Sequence, residues 1–278
     1  MAVDLHIHST ASDGTVAPAD IVARATKMGL PAISLTDHDS VAGVSAALET
    51  GTRLRITVIP AVELSAGVDG RSMHVLGYFI DHTDLVLTER LERLRAVRLD
   101  RAERMVRALA AAGYGIAIAD VLLEADGGAV GRAHVARTLV ARGYADSMPD
   151  AFDRFLGHGR PFYVPKPVAA PAEVMRWISE AGGIAVLAHP AVSEVDDLIE
   201  GLAAEGLAGI EAYHRDHDQA ERERYTALAA RLGLIATGGS DFHGDDRPSG
   251  GLGSARVPPA VLDQLLALRP DFARPARP

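Results

Sequence analysis

The segment Val3-Asp4-Leu5-His6-Ile7-His8 alternates apolar with polar residues. A strand's period of two therefore puts Asp4, His6 and His8 on one face. Two neutral imidazoles on one face make a good pair of nitrogen ligands for zinc, manganese or iron. Similar residues recur at the ends of other apolar runs: Thr36-Asp37-His38-Asp39, Glu63, His74, His189-Pro190 and Ser240-Asp241-Phe242-His243. Six of the 11 histidines stand at such ends. Any one of them is most simply a satisfied polar residue of a loop. Placed together, they read as a metal site.

Such scattered residues need a framework that brings strand ends to one rim. Short β-branched runs predict strands at 3–8, 32–35, 56–62, 74–79, 184–188, 209–212 and 234–237, and helical patterns predict helices at 18–27, 40–49, 171–181, 195–204, 218–232 and 259–268. A Gly67-to-Gly70 turn precedes the fourth strand. Between 84 and 143 the sequence becomes helix-rich, with an arginine-studded run at 90–107 and a further helix at 134–142. A Pro- and Arg-rich tail, expected to fray, ends the chain. Seven strands, mostly separated by helices, predict an α/β fold: a distorted TIM-like (β/α)7 barrel built from 1–85 and 165–278, with a helical cap inserted at 86–164. A doubly wound open sheet is the runner-up. Either architecture gathers functional residues where strands end.

Composition narrows the chemistry. The chain has 278 residues, 48% of them hydrophobic, enough for one large domain with an insertion. It has no cysteine, which excludes disulfides, thiolate ligands and cysteine nucleophiles. A formal charge of −9 argues against a broad basic surface for nucleic acid, and no apolar stretch is long enough to span a membrane. The first residues lack the basic start and apolar core of a signal peptide, so the expectation is a cytoplasmic protein. No protein partner is indicated.

His6-x-His8, Asp13-Gly14, Thr36-Asp37-His38-Asp39, Glu63, His74, His189-Pro190 and Asp241-Phe242-His243 resemble the motifs of the PHP (polymerase and histidinol phosphatase) superfamily over nearly the whole chain. Gly131-Arg132-Ala133-His134-Val135-Ala136-Arg137 and Gly209-Ile210-Glu211-Ala212-Tyr213-His214 resemble its stand-alone branch of 3′,5′-nucleoside bisphosphate phosphatases and 5′-to-3′ trimming RNases. The resemblance implies three divalent ions, manganese being expected and iron or zinc compatible. It divides their ligands into His6, His8, Glu63 and Asp241; Asp13, His38 and His243; and a bridging Glu63 with His74 and His189. By formal charge such a centre stays positive, attracts a phosphate dianion and needs no protein nucleophile.

The implied reaction is hydrolysis of a phosphate monoester of a small nucleotide, a 3′,5′-bisphosphate such as pAp, with short RNA 5′ ends as a second substrate class. Asp13, His38 and His243 are the expected catalytic residues. His217 joins them as a proton donor, with His134 and His214 as the other candidates for that role. A second phosphate needs cationic partners away from the metals. Arg98 and Arg101 share a helix face, Arg132 and Arg137 lie on another helix, and Lys166 stands where the chain returns to the barrel. Asp37 and Asp39 flank His38 and are expected to orient imidazoles, with a helix N-terminal role as the alternative for Asp39. Rival readings are a histidinol phosphate phosphatase, a non-catalytic PHP accessory module and a TIM-barrel amidohydrolase.

Overall fold

Helix α1 (Pro18–Lys27) occupies the predicted span because Pro18 opens it with a preset φ and Ile21, Val22 and Ala25 form one buried stripe. In the computed structural model, which describes residues 2–244, 251–269 and 271–272, it is followed by β1 (Ala32–Leu35), α2 (Val44–Leu54), β2 (Thr57–Val68) and β3 (Arg71–Tyr78). Helices α3 (Leu85–Ala111), α4 (Ile118–Ala125), α5 (Arg132–Ala141) and α6 (Met148–Ala151) come next, the last running into a π-turn at Phe152–Leu156. The chain then forms α7 (Pro171–Glu180), β4 (Ile184–Leu187), α8 (Pro190–Ser193), α9 (Ile199–Ala204), β5 (Gly209–His214), α10 (Gln219–Leu232), β6 (Ile235–Gly239) and α11 (Ala260–Ala267). Most of the expected tail, 273–278, lies outside the described residues.

The sheet differs from the expected seven parallel strands. It has six, in the order β1-β2-β3-β4-β5-β6, and β3 runs antiparallel to both neighbours. The cause is local. Asp69 and Gly70 both have positive φ, 52° and 78°, so they turn the chain tightly enough for Val68 to pair with Arg71 in a hairpin. Residues 3–8, expected as a regular strand, form only isolated bridges. They lie between the sheet's two ends: Ser34 N donates to Asp4 O (2.9 Å) on the β1 side, and His8 N donates to Phe242 O (2.8 Å) beyond β6.

Packing divides along the chain. Residues 102–156 bury their own apolar cluster, including Met105, Leu109, Leu139 and Phe155. The remaining clusters lie against the sheet. In one of them Leu5, Ile59 and Tyr78 meet Leu262 and Leu265 of α11, and the Tyr78 hydroxyl donates to Leu5 O at 2.9 Å. The sheet thus carries its polar strand ends on a rigid, apolar support. Among the described residues, no helix is long and apolar enough to cross a membrane.

Candidate metal centre and phosphate cavity

All nine expected ligands fall in one cluster. His6 Nε2 lies 3.1 Å from His8 Nε2, 3.3 Å from Glu63 Oε2 and 3.5 Å from Asp241 Oδ1. His8 Nε2 lies 3.1 Å from the same Glu63 oxygen and 3.2 Å from the same Asp241 oxygen. The other Glu63 oxygen is 2.9 Å from His74 Nδ1 and 3.1 Å from His189 Nε2. His243 Nε2 is 3.2 Å from Asp13 Oδ1. His38 is shared: Asp13, His243 and His8 surround it on one side, Glu63 and His74 on the other.

These residues fit divalent ions. A tetrahedral ion with bonds of about 2.0–2.1 Å separates its donors by about 3.3–3.4 Å, close to the spacing seen here. Asp13 Oδ1, His38 Nδ1 and Glu63 Oε2 are buried without a hydrogen bond, although the last two stand 2.9 Å apart, which leaves them oriented as donors to a cation rather than to each other. Burial opposes charge on Asp13, Glu63 and Asp241, yet the surrounding imidazoles hold all three well below the ordinary carboxylate range. Burial also pushes His38 down to about 3, leaving a neutral, ligand-competent ring.

The backbone is adapted to the cluster. His189 and Asp241 take positive φ, 26° and 49°, which side-chain-bearing residues rarely adopt. A Cβ on Gly239 would collide with the backbone of His6, so this glycine lets β6 approach the segment carrying both histidines.

The cluster forms one end of a cavity of about 510 Å3, in the size range of small-molecule sites. Arg98, Arg101, Arg132 and Lys166 line the other part of its wall. Asp39 is not an imidazole-orienting carboxylate and does not cap a helix. It takes Arg98 Nε at 2.5 Å and Lys166 Nζ at 3.1 Å, while Ser65 accepts from both cations and donates to Asp39. Asp37 reaches an imidazole only through Ser12: it accepts from Ser9 and Ser12, Ser12 Oγ lies 3.4 Å from His8 Nδ1, and the carboxylate anchors the loop leading to Asp13. Arg101 Nε donates to Val164 O at 2.6 Å, and the guanidinium of Arg132 lies 5.7 Å from the ring centres of Phe152 and Tyr163. Burial, with Arg132 nearby, pushes Arg101 down to about 10, and burial with Arg98 pushes Lys166 down to about 7.

Three expected substrate contacts have other partners. His134 Nδ1 accepts from Gly131 N at 3.0 Å, and burial pushes the ring down to about 4. Arg137 donates to Asp13 O at 2.5 Å, tying α5 to the loop that carries Asp13. His214 faces Asp241 Oδ2 at 3.7 Å and is buried. The proposed proton donor His217 stands behind His214, its ring centre 5.2 Å away and its Nδ1 3.1 Å from Ala212 O. None of these four lines the cavity. Their positions follow from packing that no local pattern reports.

The sequence pattern assigns no role to Glu211 or Asp4. Glu211 is fully buried, receives His6 Nδ1 at 3.1 Å and accepts from His189 N at 2.9 Å. Asp4 accepts from Ser240 N at 2.8 Å and Gly253 N at 2.7 Å. An acidic residue inside an apolar strand was the available signal for Glu211.

A curled α/β sheet whose strand ends gather six imidazoles and three carboxylates beside a cationic cavity defines a metal-dependent hydrolase. A family profile described as the PHP domain matches residues 4–124. The chain is 32% identical to the 3′,5′-nucleoside bisphosphate phosphatase of Chromobacterium violaceum over 99% of both chains. It is 35% identical to the 5′-3′ exoribonuclease Rnm of Escherichia coli, covering 86% of this chain and 84% of the other. A solved structure from Bifidobacterium adolescentis, described as a candidate metal-dependent phosphoesterase, superposes with a TM-score of 0.89 at 32% identity over 95% of each chain. The chain belongs to the PHP family.

Proposed function

We propose that this PHP-family phosphoesterase removes a phosphate from a 3′,5′-nucleoside bisphosphate such as pAp, and that short 5′-phosphorylated RNA is a second substrate class. In this reading His6, His8, Asp13, His38, Glu63, His74, His189, Asp241 and His243 hold three divalent ions, manganese by preference. Residues 1–85 and 165–278 act as a distorted barrel, and 86–164 as its cap. The single observation that carries the substrate class is the cavity's second cationic end. Four cations, Arg98, Arg101, Arg132 and Lys166, face it, and the carboxylate of Asp39 offsets only part of their charge.

A monoester with one phosphate needs only the metal end. A bisphosphate places its second phosphate against the guanidinium fork of Arg98 or the amine of Lys166. Histidinol phosphate carries a cationic amine, which this end repels. When bound, the metal ions would neutralise phosphate charge and activate water. The chain's own residues hold the substrate between two positive ends, while the carboxylates of Asp13, Glu63 and Asp241 stay ionised as ligands.

The test is phosphate release by the manganese-loaded protein from pAp, 5′-AMP, histidinol phosphate and a short 5′-phosphorylated RNA. The expected result is preference for pAp or RNA, abolished by Asp13→Ala and His243→Ala and raised in KM by Arg98→Ala. Histidinol phosphate leading the panel would overturn the substrate class. Metal binding without activity on any member would favour the accessory-module reading.

A further inference from the structure

We infer that Glu211 is a positioning residue that fixes the tautomer of His6 and so completes the metal centre, an inference that rests on the metal-binding reading above. Glu211 lies on β5 with no solvent exposure and does not line the cavity, so it touches neither substrate nor solvent. Its two oxygens lie 3.2 and 3.1 Å from His6 Nδ1, and the second also accepts from His189 N at 2.9 Å. A carboxylate whose two oxygens both face one ring nitrogen, one of them also taking a backbone N–H, is placed as an acceptor from that nitrogen. His6 Nδ1 must therefore carry a proton.

In the neutral ring that binds a metal, the lone pair of His6 is then on Nε2, the atom that faces His8, Glu63 and Asp241 at 3.1, 3.3 and 3.5 Å. The same carboxylate fixes a second ligand through its backbone. His189 sits at φ 26° and ψ 61°, a strained conformation, and its N–H is directed into Glu211. One buried side chain thus positions ligands from two separate elements.

Glu211→Gln is the informative substitution because it preserves shape while allowing the side chain to donate. An amide N–H facing His6 Nδ1 favours the proton on Nε2, where it blocks ligation. Partners of this kind alter metal affinity by about 10–100-fold. The expected result for Glu211→Gln is a loss of that size in manganese affinity by calorimetry, lower kcat and little change in KM, with recovery in Glu211→Asp. The loss should vanish in a His6→Ala background.

Histidine nitrogen NMR of the metal-free protein, recorded above the pH at which the His6 ring becomes neutral, provides an independent readout. The His6 signal, assigned by its loss in His6→Ala, should show the Nδ1–H form in wild type and the Nε2–H form in Glu211→Gln. An Nε2–H ring in wild type would overturn the inference, as would wild-type manganese affinity in folded Glu211→Gln. A wild-type protein that binds no manganese but shows the Nδ1–H form would remove the metal reading and leave the tautomer assignment intact.

Discussion

Asp39→Asn tests the cationic end of the cavity through stability. Asp39 is fully buried, takes Arg98 at 2.5 Å and Lys166 at 3.1 Å, and accepts from Ser65 N at 2.8 Å. The amide can keep an acceptor for Ser65, but two buried cations lose their counter-charge. Breaking one side of a buried ion pair costs about 3–5 kcal/mol. At about 2–4 °C per kcal/mol for a large domain, the unfolding midpoint should fall by roughly 6–20 °C. Inorganic phosphate should restore part of that loss in the mutant, because an anion replaces the missing charge and binds only the folded state. Burial tends to raise the Asp39 carboxyl, but Arg98 and Lys166 outweigh it and hold it below its ordinary range. Its contribution is therefore present above the unfolded value of about 4 and lost as pH falls below it, so the mutant and wild-type midpoints should converge in acid. A mutant within about 0.5 kcal/mol of wild type at neutral pH, the size of a surface substitution, would refute the reasoning. So would a mutant midpoint indifferent to phosphate.

Lys166 and Gly239 give two further expectations. Burial and neighbouring arginines lower Lys166 to about 7, so the cost of its buried charge is fully present below that pH and disappears as pH rises towards an unfolded lysine's value of about 10.4. Denaturant midpoints from pH 6 to 9.5 should therefore rise less steeply in Lys166→Met than in wild type, while wild-type KM for pAp rises above pH 7 as the amine loses its proton. Equal slopes would show that the amine is not buried in its ionised form. Gly239→Ala should displace His6 and weaken manganese binding at least tenfold by calorimetry, since the new Cβ meets main chain that cannot turn aside; unchanged affinity would show that the two segments separate easily.

The sequence makes the clustered histidines and carboxylates legible because they follow period-two alternation or mark strand ends, both local properties. Helices such as α1 and α10 are readable for the same reason: Asp218 and Glu221 cap α10 reciprocally and Gly233 ends it at φ 69°. The reversed β3 had a visible cause in Asp69-Gly70, a hairpin signal overshadowed by the surrounding βαβ pattern. Asp39 was misassigned because its partner Arg98 is 59 residues away, and nothing local distinguishes an aspartate that caps a helix from one that meets a distant guanidinium. His134 and His217 carry the right chemistry, but the packing of α5 and the loop after β5 turns them towards main chain. Glu211 was hidden by its surroundings, one acid within a buried strand.

The bridges made by residues 3–8 have a consequence for synthesis. His6 and His8 are made well before residues 238–257, yet one side of their segment pairs with Gly238, Phe242 and Val257, and Asp241 and His243 lie in that same stretch. Such long-range pairing forms late, after the local helices that precede it. A nascent chain that stops before residues 238–243 cannot assemble the cluster, so competence to attack phosphate esters should switch on only after those residues have emerged.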